Sequence, residues 1–254
     1  MVDSMETRRN AIANLVDEKG SVSFSMLKEE FPNVSEMTLR TDLKSLDEEK
    51  RILRVHGGAK SVQFLVGTDD LLTRKSFRNV AEKKTIAEKA LSLIRPGKSL
   101  FLDSGSTTTV LAKAIPDQNN LIYTSSLSCA AELANLDKPE IIMPGGRLNR
   151  YSQSVCGITT IKEVERMNFD LAFLGVTGYC KGVGFTCGIN DEALLKQTVI
   201  QRSEQVIVLM DSSKLDKKYS FGICSLSEIN IIVSDGKLPD EFIEECVRNK
   251  VSVL

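Results

Sequence analysis

Residues 101–109 have the sequence FLDSGSTTT, and this stretch decides the fold class of most of the chain. Leu100–Leu102 predict the end of a buried parallel strand, and Val110–Ala112 predict the body of a helix. A strand that enters a helix through a glycine- and hydroxyl-rich turn exposes backbone N–H groups and the positive end of the helix dipole, which suits a phosphate. Such a turn also needs a flexible glycine and a hydroxyl N-cap without any ligand, so the stretch alone leaves both interpretations open.

Apolar runs and helical spacing alternate through the rest of this half of the chain. The predicted strands are 100–102, 121–123, 140–143, 171–174, 206–210 and 229–233, with a possible last one at 251–254. Helical spacing lies at 79–94, 126–136, 190–202 and 240–248. This alternation predicts a Rossmann-like, mostly parallel α/β sheet with helices on its faces.

Polar residues follow the first five predicted strands. Ligands of open α/β sheets bind at the carboxyl ends of the strands, so five polar ends together favour a polar, anionic ligand. The candidate residues at these ends are Asp103, Ser104, Gly105, Ser106, Thr107, Thr108, Thr124, Ser125, Ser126, Gly145, Gly146, Arg147, Gly175, Thr177, Asp211 and Lys214.

The first sixty residues predict three short helices followed by a β wing, the plan of a winged helix-turn-helix. Helical spacing occurs at 8–17, 23–31 and 35–46, and a β-like run at 51–55 precedes the turn 56–58. In the third helix Leu39, Leu43 and Leu46 fall on one side, while the opposite side carries Met37, Arg40, Thr41 and Lys44. Arg40 suits a guanine edge or a phosphate, and the candidates for backbone contacts are Lys44, Arg51 and Arg54.

Charge leaves a second interpretation of this segment open. Residues 1–60 hold ten lysines and arginines against eleven aspartates and glutamates, whereas DNA-binding modules are usually basic. A small helical protein-interaction module therefore fits the periodicity as well as a DNA reader does.

The N-terminal pattern resembles the DNA-binding signature of the DeoR family of bacterial transcriptional repressors. The matching residues are Val34-Ser35-x-x-Thr38-Leu39-Arg40-x-Asp42-Leu43-x-x-Leu46 and Leu53-x-x-His56-Gly57-Gly58-Ala59. The family usually has a second basic residue where this chain has Thr41, and a glycine near Lys50. The resemblance implies operator DNA as a partner and a DNA-binding set of Ser35, Met37, Thr38, Arg40, Thr41, Lys44, Arg51, Arg54, His56 and Gly57.

The second half resembles the sugar-phosphate-sensing domain of the same family, which is related in fold to ribose-5-phosphate isomerase. The matches are Asp103-x-Gly105-Ser106-Thr107-Thr108, Gly145-Gly146, Gly157, Asp170-x-Ala172-Phe173-x-Gly175, Gly184-Phe185-Thr186, Glu192-x-x-x-Lys196 and Asp211-x-x-Lys214, preceded by Arg74, Asn79, Glu82-Lys83 and Ile86-Ala87. The family usually has asparagine where this chain has Ser125. The resemblance implies a phosphorylated sugar as effector, adds Lys196 to its site, and implies a dimer or higher oligomer that binds paired half-sites.

The expected organisation is a winged helix-turn-helix at 1–60, a linker at 61–78 and an effector-binding α/β domain at 79–254. The alternative is an active sugar-phosphate isomerase or deaminase with a helical appendage. Such an enzyme needs a carboxylate base beside its substrate, and the loop Gly175-Val176-Thr177-Gly178 has none. Glu192 and Lys196, four residues apart on a predicted helix, are interpreted first as a surface ion pair. The sequence therefore favours a sensor over an enzyme.

The amino-acid composition limits the classes of protein to which the chain can belong. The 254 residues are 42% hydrophobic and 26% charged with a net charge of −1, typical of a globular protein. Six scattered cysteines and a single histidine argue against a disulfide framework and a metal site. The N-terminus is charged and no apolar run is long enough to span a membrane, so we expect a cytoplasmic protein without cofactor, metal or membrane partner.

Overall fold

The computed structural model describes residues 5–49, 51–55, 57–61 and 72–254. The chain divides into two compact units, Met1–Asp70 and Leu71–Leu254. Across the described residues, none of the helices combines the length and the apolar character that a membrane span requires. The predicted site residue His56 lies outside these ranges.

Among its described residues, the N-terminal unit has three helices and a three-stranded antiparallel sheet. In chain order these are α1 (Met5–Lys19), β1 (Ser21–Ser23), α2 (Phe24–Glu30), α3 (Glu36–Glu48), β2 (Leu53–Val55) and β3 (Gly58–Lys60). Ser23 and Ser35 begin α2 and α3 as N-caps, each hydroxyl accepting a backbone N–H three residues on. The three predicted helices and the wing are confirmed. The first strand was not predicted, because three residues are too few to show an alternating pattern.

Glycine is required where the wing crosses β1. The strand order is β1-β3-β2, and Val22 of β1 pairs with Ala59 of β3. A Cβ on Gly58 would lie 2.2 Å from the Val22 carbonyl oxygen, so only glycine permits this approach. The core beneath is formed by Ile12, Val16, Leu27, Leu39, Leu43, Leu46 and Ile52.

The C-terminal unit contains seven helices and twelve strands among the described residues. Its helices are α4 (Leu72–Phe77), α5 (Val80–Leu91), α6 (Ser106–Ala114), α7 (Leu127–Leu133), α8 (Ile158–Val164), α9 (Asn190–Gln201) and α10 (Asp240–Arg248). Its strands are β4 (Ser99–Leu102), β5 (Leu121–Thr124), β6 (Glu140–Ile142), β7 (Arg147–Asn149), β8 (Ser154–Cys156), β9 (Phe169–Gly175), β10 (Gly178–Cys180), β11 (Gly184–Cys187), β12 (Ser203–Leu209), β13 (Phe221–Cys224), β14 (Ile231–Val233) and β15 (Ser252–Val253).

All seven predicted strands are present and form one sheet in the order β15-β14-β12-β9-β4-β5-β6. Every neighbouring pair is parallel. Alternate residues of β9 face opposite sides: Leu171 and Phe173 pack with α5, α6 and α7, while Ala172 and Leu174 pack with α8, α9 and α10. The predicted fold class, a winged helix-turn-helix followed by a Rossmann-like α/β sheet, is therefore confirmed.

Two small antiparallel elements were not predicted. Strands β10, β11 and β13 form a second sheet, and β7 and β8 form a hairpin. Each of these strands has only three or four residues, too short for a periodic signal.

The structure describes a helix within the second part of the predicted linker 61–78. Helix α4 occupies Leu72–Phe77 and belongs to the C-terminal unit. The backbone N–H of Leu72 donates to the Tyr151 carbonyl at 2.9 Å, and the Lys83 ammonium donates to the backbone carbonyls of Lys75 and Arg78. These tertiary contacts hold the helix in place. A sequence of six mostly polar residues does not predict them. Residues 62–71 lie outside the described ranges.

Candidate functional site

Helix α3 presents the face that its periodicity predicts. Leu39, Leu43 and Leu46 are buried, whereas Met37 is 80% exposed. Arg40, Thr41 and Lys44 are also exposed. Ser35 and Thr38 lie at the start of the helix, where the Ser35 hydroxyl caps it and lies 2.8 Å from the Thr38 hydroxyl. The unit thus has one helix whose polar face is open to a partner.

Arg51 does not lie where the sequence places it. Its side chain is buried, with 7% relative exposure, and its guanidinium donates to the Asn10 side-chain oxygen at 2.6 Å and lies 3.5 Å from the Glu49 carboxylate. The prediction of a DNA backbone contact at Arg51 is therefore wrong: the following Ile52 enters the core and draws Arg51 inward with it. Arg54 on β2 is exposed.

In the C-terminal unit the five polar strand ends are neighbours. Strands β12, β9, β4, β5 and β6 are consecutive in the sheet, so the residues that follow them share one edge. This is the edge at which α/β sheets bind their ligands.

A buried ion pair joins the ends of β4 and β9 to α9. The Asp103 carboxylate accepts a hydrogen bond from the Gly175 backbone N–H at 2.9 Å and another from the Lys196 ammonium, and both side chains are under 5% exposed. Burial lowers the pKa of Lys196, but the negative charges of Asp103 and Glu192 outweigh this effect, and the pKa is raised above its ordinary value. Lys196 is therefore a fixed cation at the sheet edge.

The interpretation of Glu192 and Lys196 as a surface pair is wrong. Glu192 is 6% exposed and accepts a hydrogen bond from the Ser154 hydroxyl at 3.1 Å, while Lys196 pairs with Asp103. Helix α9 lies against β8 and β9. Its first two turns therefore face protein, where an exposed i,i+4 pair cannot form.

Hydroxyl groups at the ends of β4 and β5 are largely occupied within the protein. Thr108 donates to the Gly105 carbonyl at 2.8 Å, Thr124 donates to the Leu102 carbonyl at 2.7 Å, and Ser126 caps α7. Ser125 differs, because its hydroxyl oxygen is buried and has no hydrogen-bond partner among the described residues. Ser104 and Ser106 are buried and Thr107 is half-buried, at the strand end and in the first turn of α6.

The end of β6 is built as a tight turn. A Cβ on Gly146 would lie 2.0 Å from the Thr160 hydroxyl oxygen, so α8 packs directly on this glycine. The Gly145 N–H donates to the Glu163 carboxylate at 2.8 Å, and Arg147 pairs with Asp191. In this structure the Glu163 carboxylate takes the Gly145 N–H and the Asp191 carboxylate pairs with Arg147, so the prediction of an anion-binding end here stays a prediction.

The end of β12 gathers positive charge. Asp211 is buried, accepts the Ser213 N–H at 3.1 Å, and accepts the Asn79 side-chain amide at 3.1 Å. Burial lowers the pKa of the nearby Lys83 to about 8, with the charge of Lys214 as the next cause. Arg78 and Lys75 also lie close enough to lower it, while Asp211 raises it.

Lys83 and Asn79 are the site residues that periodicity could not find. Asn79 is the N-cap of α5, and Lys83 lies in its first turn. A charged residue on a predicted helix is ordinarily solvated, so periodicity does not mark Lys83 as buried. The signal that could have identified Lys83 is its place on the otherwise apolar side of the helix, three residues before Ile86. Thr177, a predicted site residue, is 7% exposed, and its backbone N–H donates to the Thr186 carbonyl at 3.1 Å.

Family comparisons cover both units. A DeoR-like helix-turn-helix domain matches residues 8–63, and a DeoR C-terminal sensor domain matches residues 78–236. The chain belongs to the DeoR family. The HTH-type transcriptional regulator YulB of Bacillus subtilis is 32% identical over 97% of this chain and 95% of its own length. GlpR of Haloferax volcanii is 32% identical over 97% and 96%, and a putative aga operon transcriptional repressor of Escherichia coli O157:H7 is 30% identical over 100% and 94%.

This DeoR-family chain is a DNA-binding transcriptional regulator, the class of protein to which its matched relatives belong. Among solved structures, ribose 5-phosphate isomerase A of Methanocaldococcus jannaschii aligns with a TM-score of 0.40 and 17% identity over 54% of each chain. The family domains and the named relatives fit the regulator interpretation better than the isomerase alternative weighed from the sequence. No group of three or more metal-ligating side chains occurs within the part of the chain that the structure describes.

Proposed function

We propose that this DeoR-family chain represses genes of carbohydrate metabolism and that a phosphorylated sugar controls its binding to operator DNA. The observation that carries the proposal is the pairing, in one chain, of the two family domains with an exposed α3 face and a polar sheet edge. Two relatives, a putative aga operon transcriptional repressor and a lactose phosphotransferase system repressor, support sugar metabolism as the regulated process.

For the DNA contact, we propose the exposed side of α3 together with the wing. The set is Ser35, Met37, Thr38, Arg40, Thr41, Lys44, Arg54 and Gly57, and Arg51 is excluded because it is buried. Cations in this set neutralise phosphates, while Met37 is an apolar group able to contact a thymine methyl in the major groove.

For the effector, we place the phosphate between the first turn of α6 and the basic group at the end of β12. Helices α5 and α6 pack on the same face of the sheet, so Lys83 and the N-terminal N–H groups of α6 approach from one side. Among the charges that act on Lys83, the cations Lys214, Arg78 and Lys75 outnumber the carboxylate of Asp211. A dianionic phosphate would balance this excess of positive charge.

The sugar hydroxyls then extend toward the Asp103–Lys196 pair. Asp103 offers acceptor oxygens and Lys196 a donor, which together suit vicinal hydroxyls. Ser125, with its unpaired buried hydroxyl, adds a further group that a sugar oxygen could satisfy. We therefore assign specificity for the sugar to these three residues and affinity to the phosphate.

Two measurements test the proposal. Gel-shift binding of the full chain to the DNA upstream of its own gene should occur at nanomolar to micromolar protein and should weaken at least tenfold in Arg40→Ala. A thermal-shift screen with phosphorylated sugars should give one compound that stabilises the protein, by about 2.7 kcal/mol at 100 times its dissociation constant. Absence of DNA binding, or a flat response to every sugar phosphate, would contradict it.

A further inference from the structure

A cavity of about 280 Å³ lies between α3 and the wing of the N-terminal unit. Two arginines line it from different elements, Arg40 from α3 and Arg54 from β2. The remaining lining residues are Phe24, Leu43, Val55, Gly57 and Gly58. The cavity therefore has an apolar floor and two cationic side chains on its walls.

Phe24 fixes the Arg40 side chain above this floor. The Arg40 guanidinium carbon lies 4.3 Å from the centroid of the Phe24 ring. Phe24 is itself anchored, since its ring packs on the core of the unit and its backbone N–H donates to the Gly57 carbonyl at 2.8 Å. A guanidinium stacked on an aromatic face keeps its N–H groups free at the edge of its plane.

Within the described residues, no ion pair within 4 Å is found for either guanidinium, although Arg40 adds to the effect of Lys28 in lowering the pKa of Glu36. The salt bridges near them join Lys28 to Glu36 and Lys44 to Glu48 instead. Two exposed arginines that share one cavity repel each other unless an anion lies between them. A phosphodiester fits this arrangement better than a guanine edge, because its two free oxygens accept from two guanidinium groups while a guanine edge takes one.

We propose that Phe24 is a positioning residue, which holds Arg40 so that Arg40 and Arg54 together bind one phosphate of the DNA backbone. The inference rests on the proposed function and assigns Arg40 to the backbone, a choice that the sequence leaves open. Preorganisation by the ring lowers the entropy lost when the long Arg40 side chain binds.

A double-mutant cycle with the full chain tests the inference. Anisotropy titrations use two duplexes of equal length, the DNA upstream of the chain's own gene and a scrambled version of it, at several KCl concentrations. The proteins are wild type, Phe24→Leu, Arg40→Gln and the double variant. Phe31→Leu is the matched control, because Phe31 packs on the same core from the end of α2 and no cation of the described residues stacks on its ring. Phe24→Tyr keeps the ring and should bind like wild type.

Phe24→Leu should weaken binding to both duplexes about three- to tenfold, the effect expected of losing an exposed cation–π contact. The same substitution in the Arg40→Gln background should change little. Arg40→Gln should reduce the salt slope by about 1 on both duplexes. Phe31→Leu should match wild type.

Three results would overturn the inference. An equal loss from Phe24→Leu in both backgrounds would give Phe24 a purely structural role, and no loss at all would remove the role entirely. A loss confined to the upstream duplex would assign Arg40 to base recognition. If the wild type binds neither duplex, the proposed function itself fails, and that outcome is visible before any variant is compared.

Discussion

At the scale of single residues, the Asp103–Lys196 pair is the feature with the largest expected energetic consequence. Both groups are buried, and each is the charge that compensates the other. A buried pair is weak evidence for net stability, but removing one partner leaves a buried, unpaired charge. Replacing either Asp103 or Lys196 should therefore lower the free energy of unfolding far more than replacing one partner of an exposed ion pair in the same protein.

Asp103→Ala should destabilise the C-terminal unit by about 3 kcal/mol or more, because Lys196 would remain buried without its partner. Asp191→Ala is the matched control: it breaks the pair with Arg147, whose side chain is 77% exposed, and should cost under about 1 kcal/mol. Urea unfolding of the full chain measures both. Equal midpoints for the two variants would show that the Asp103 pair is not buried as described.

Lys83 should make effector binding depend on pH. Its pKa is about 8 in the folded protein, lowered by burial from an ordinary value of 10.5, so the ammonium is lost as pH rises through 8. Because the pKa of Lys83 is lower in the folded than in the unfolded chain, the free energy of unfolding rises between pH 8 and pH 10.5, as the folded protein loses this proton. Binding of a phosphate requires the charged ammonium, so the same deprotonation weakens binding. Effector affinity should therefore fall from pH 7 to pH 9.

Isothermal titration with the sugar phosphate that gives the largest thermal shift measures this dependence. Lys83→Met should bind more weakly at pH 7 and lose most of the fall between pH 7 and pH 9. Lys84→Met is the control, because Lys84 is 75% exposed on the same helix. An unchanged pH profile in Lys83→Met would place the phosphate elsewhere.

At the scale of elements, the buried Asp42 joins α1 to α3. Its carboxylate accepts from Arg8 at 2.6 Å and from Arg9 at 2.9 Å, and the side chain is 2% exposed. Both arginines lie on α1, so a single carboxylate fixes α3, the helix that carries the side chains proposed to contact DNA. The substitution Asp42→Ala leaves two arginines beside an apolar core.

Asp42→Ala should loosen α1 and α3 by about 3 kcal/mol and leave the C-terminal unit unchanged. Hydrogen exchange measured by mass spectrometry on the full chain resolves the two units, with faster exchange expected only in peptides of the N-terminal unit. The half-buried Asp47 provides the control through Asp47→Ala, which removes one acceptor for the Arg54 backbone N–H. Comparable exchange in the two variants would contradict the role of Asp42.

Sequence patterns predicted the strands and helices whose buried residues form an unbroken apolar run or recur at a regular spacing. The seven strands of the sheet are apolar runs because both faces are covered by helices, and the face of α3 follows from leucines at 39, 43 and 46. Sequence patterns did not predict the burial of residues that only tertiary contacts remove from solvent. Arg51, Lys83 and Glu192 are charged residues that ordinarily lie in solvent, and only the fold shows that they are buried or paired.

At the scale of the whole molecule, paired half-sites require more than one copy of the chain. We expect a dimer or tetramer, so light scattering after size exclusion should give a mass of at least twice 28.0 kDa. Winged helix-turn-helix units that bind palindromic DNA gain affinity from this pairing through effective concentration. A monomer at micromolar concentration, with DNA present, would contradict the expectation.

In the function that we propose, sugar-phosphate binding and operator binding are coupled. Coupling requires the effector to prefer one arrangement of the chain over the other, and a typical coupling free energy of 1–3 kcal/mol corresponds to about a 5- to 150-fold change in DNA affinity.

The most direct measurement is anisotropy of the upstream duplex with the full chain, titrated in parallel with each phosphorylated sugar and its unphosphorylated form. One sugar phosphate should change the DNA dissociation constant at least fivefold, its unphosphorylated form should not, and Lys83→Met should lose the response while still binding DNA. A DNA dissociation constant that no sugar phosphate changes would contradict the account.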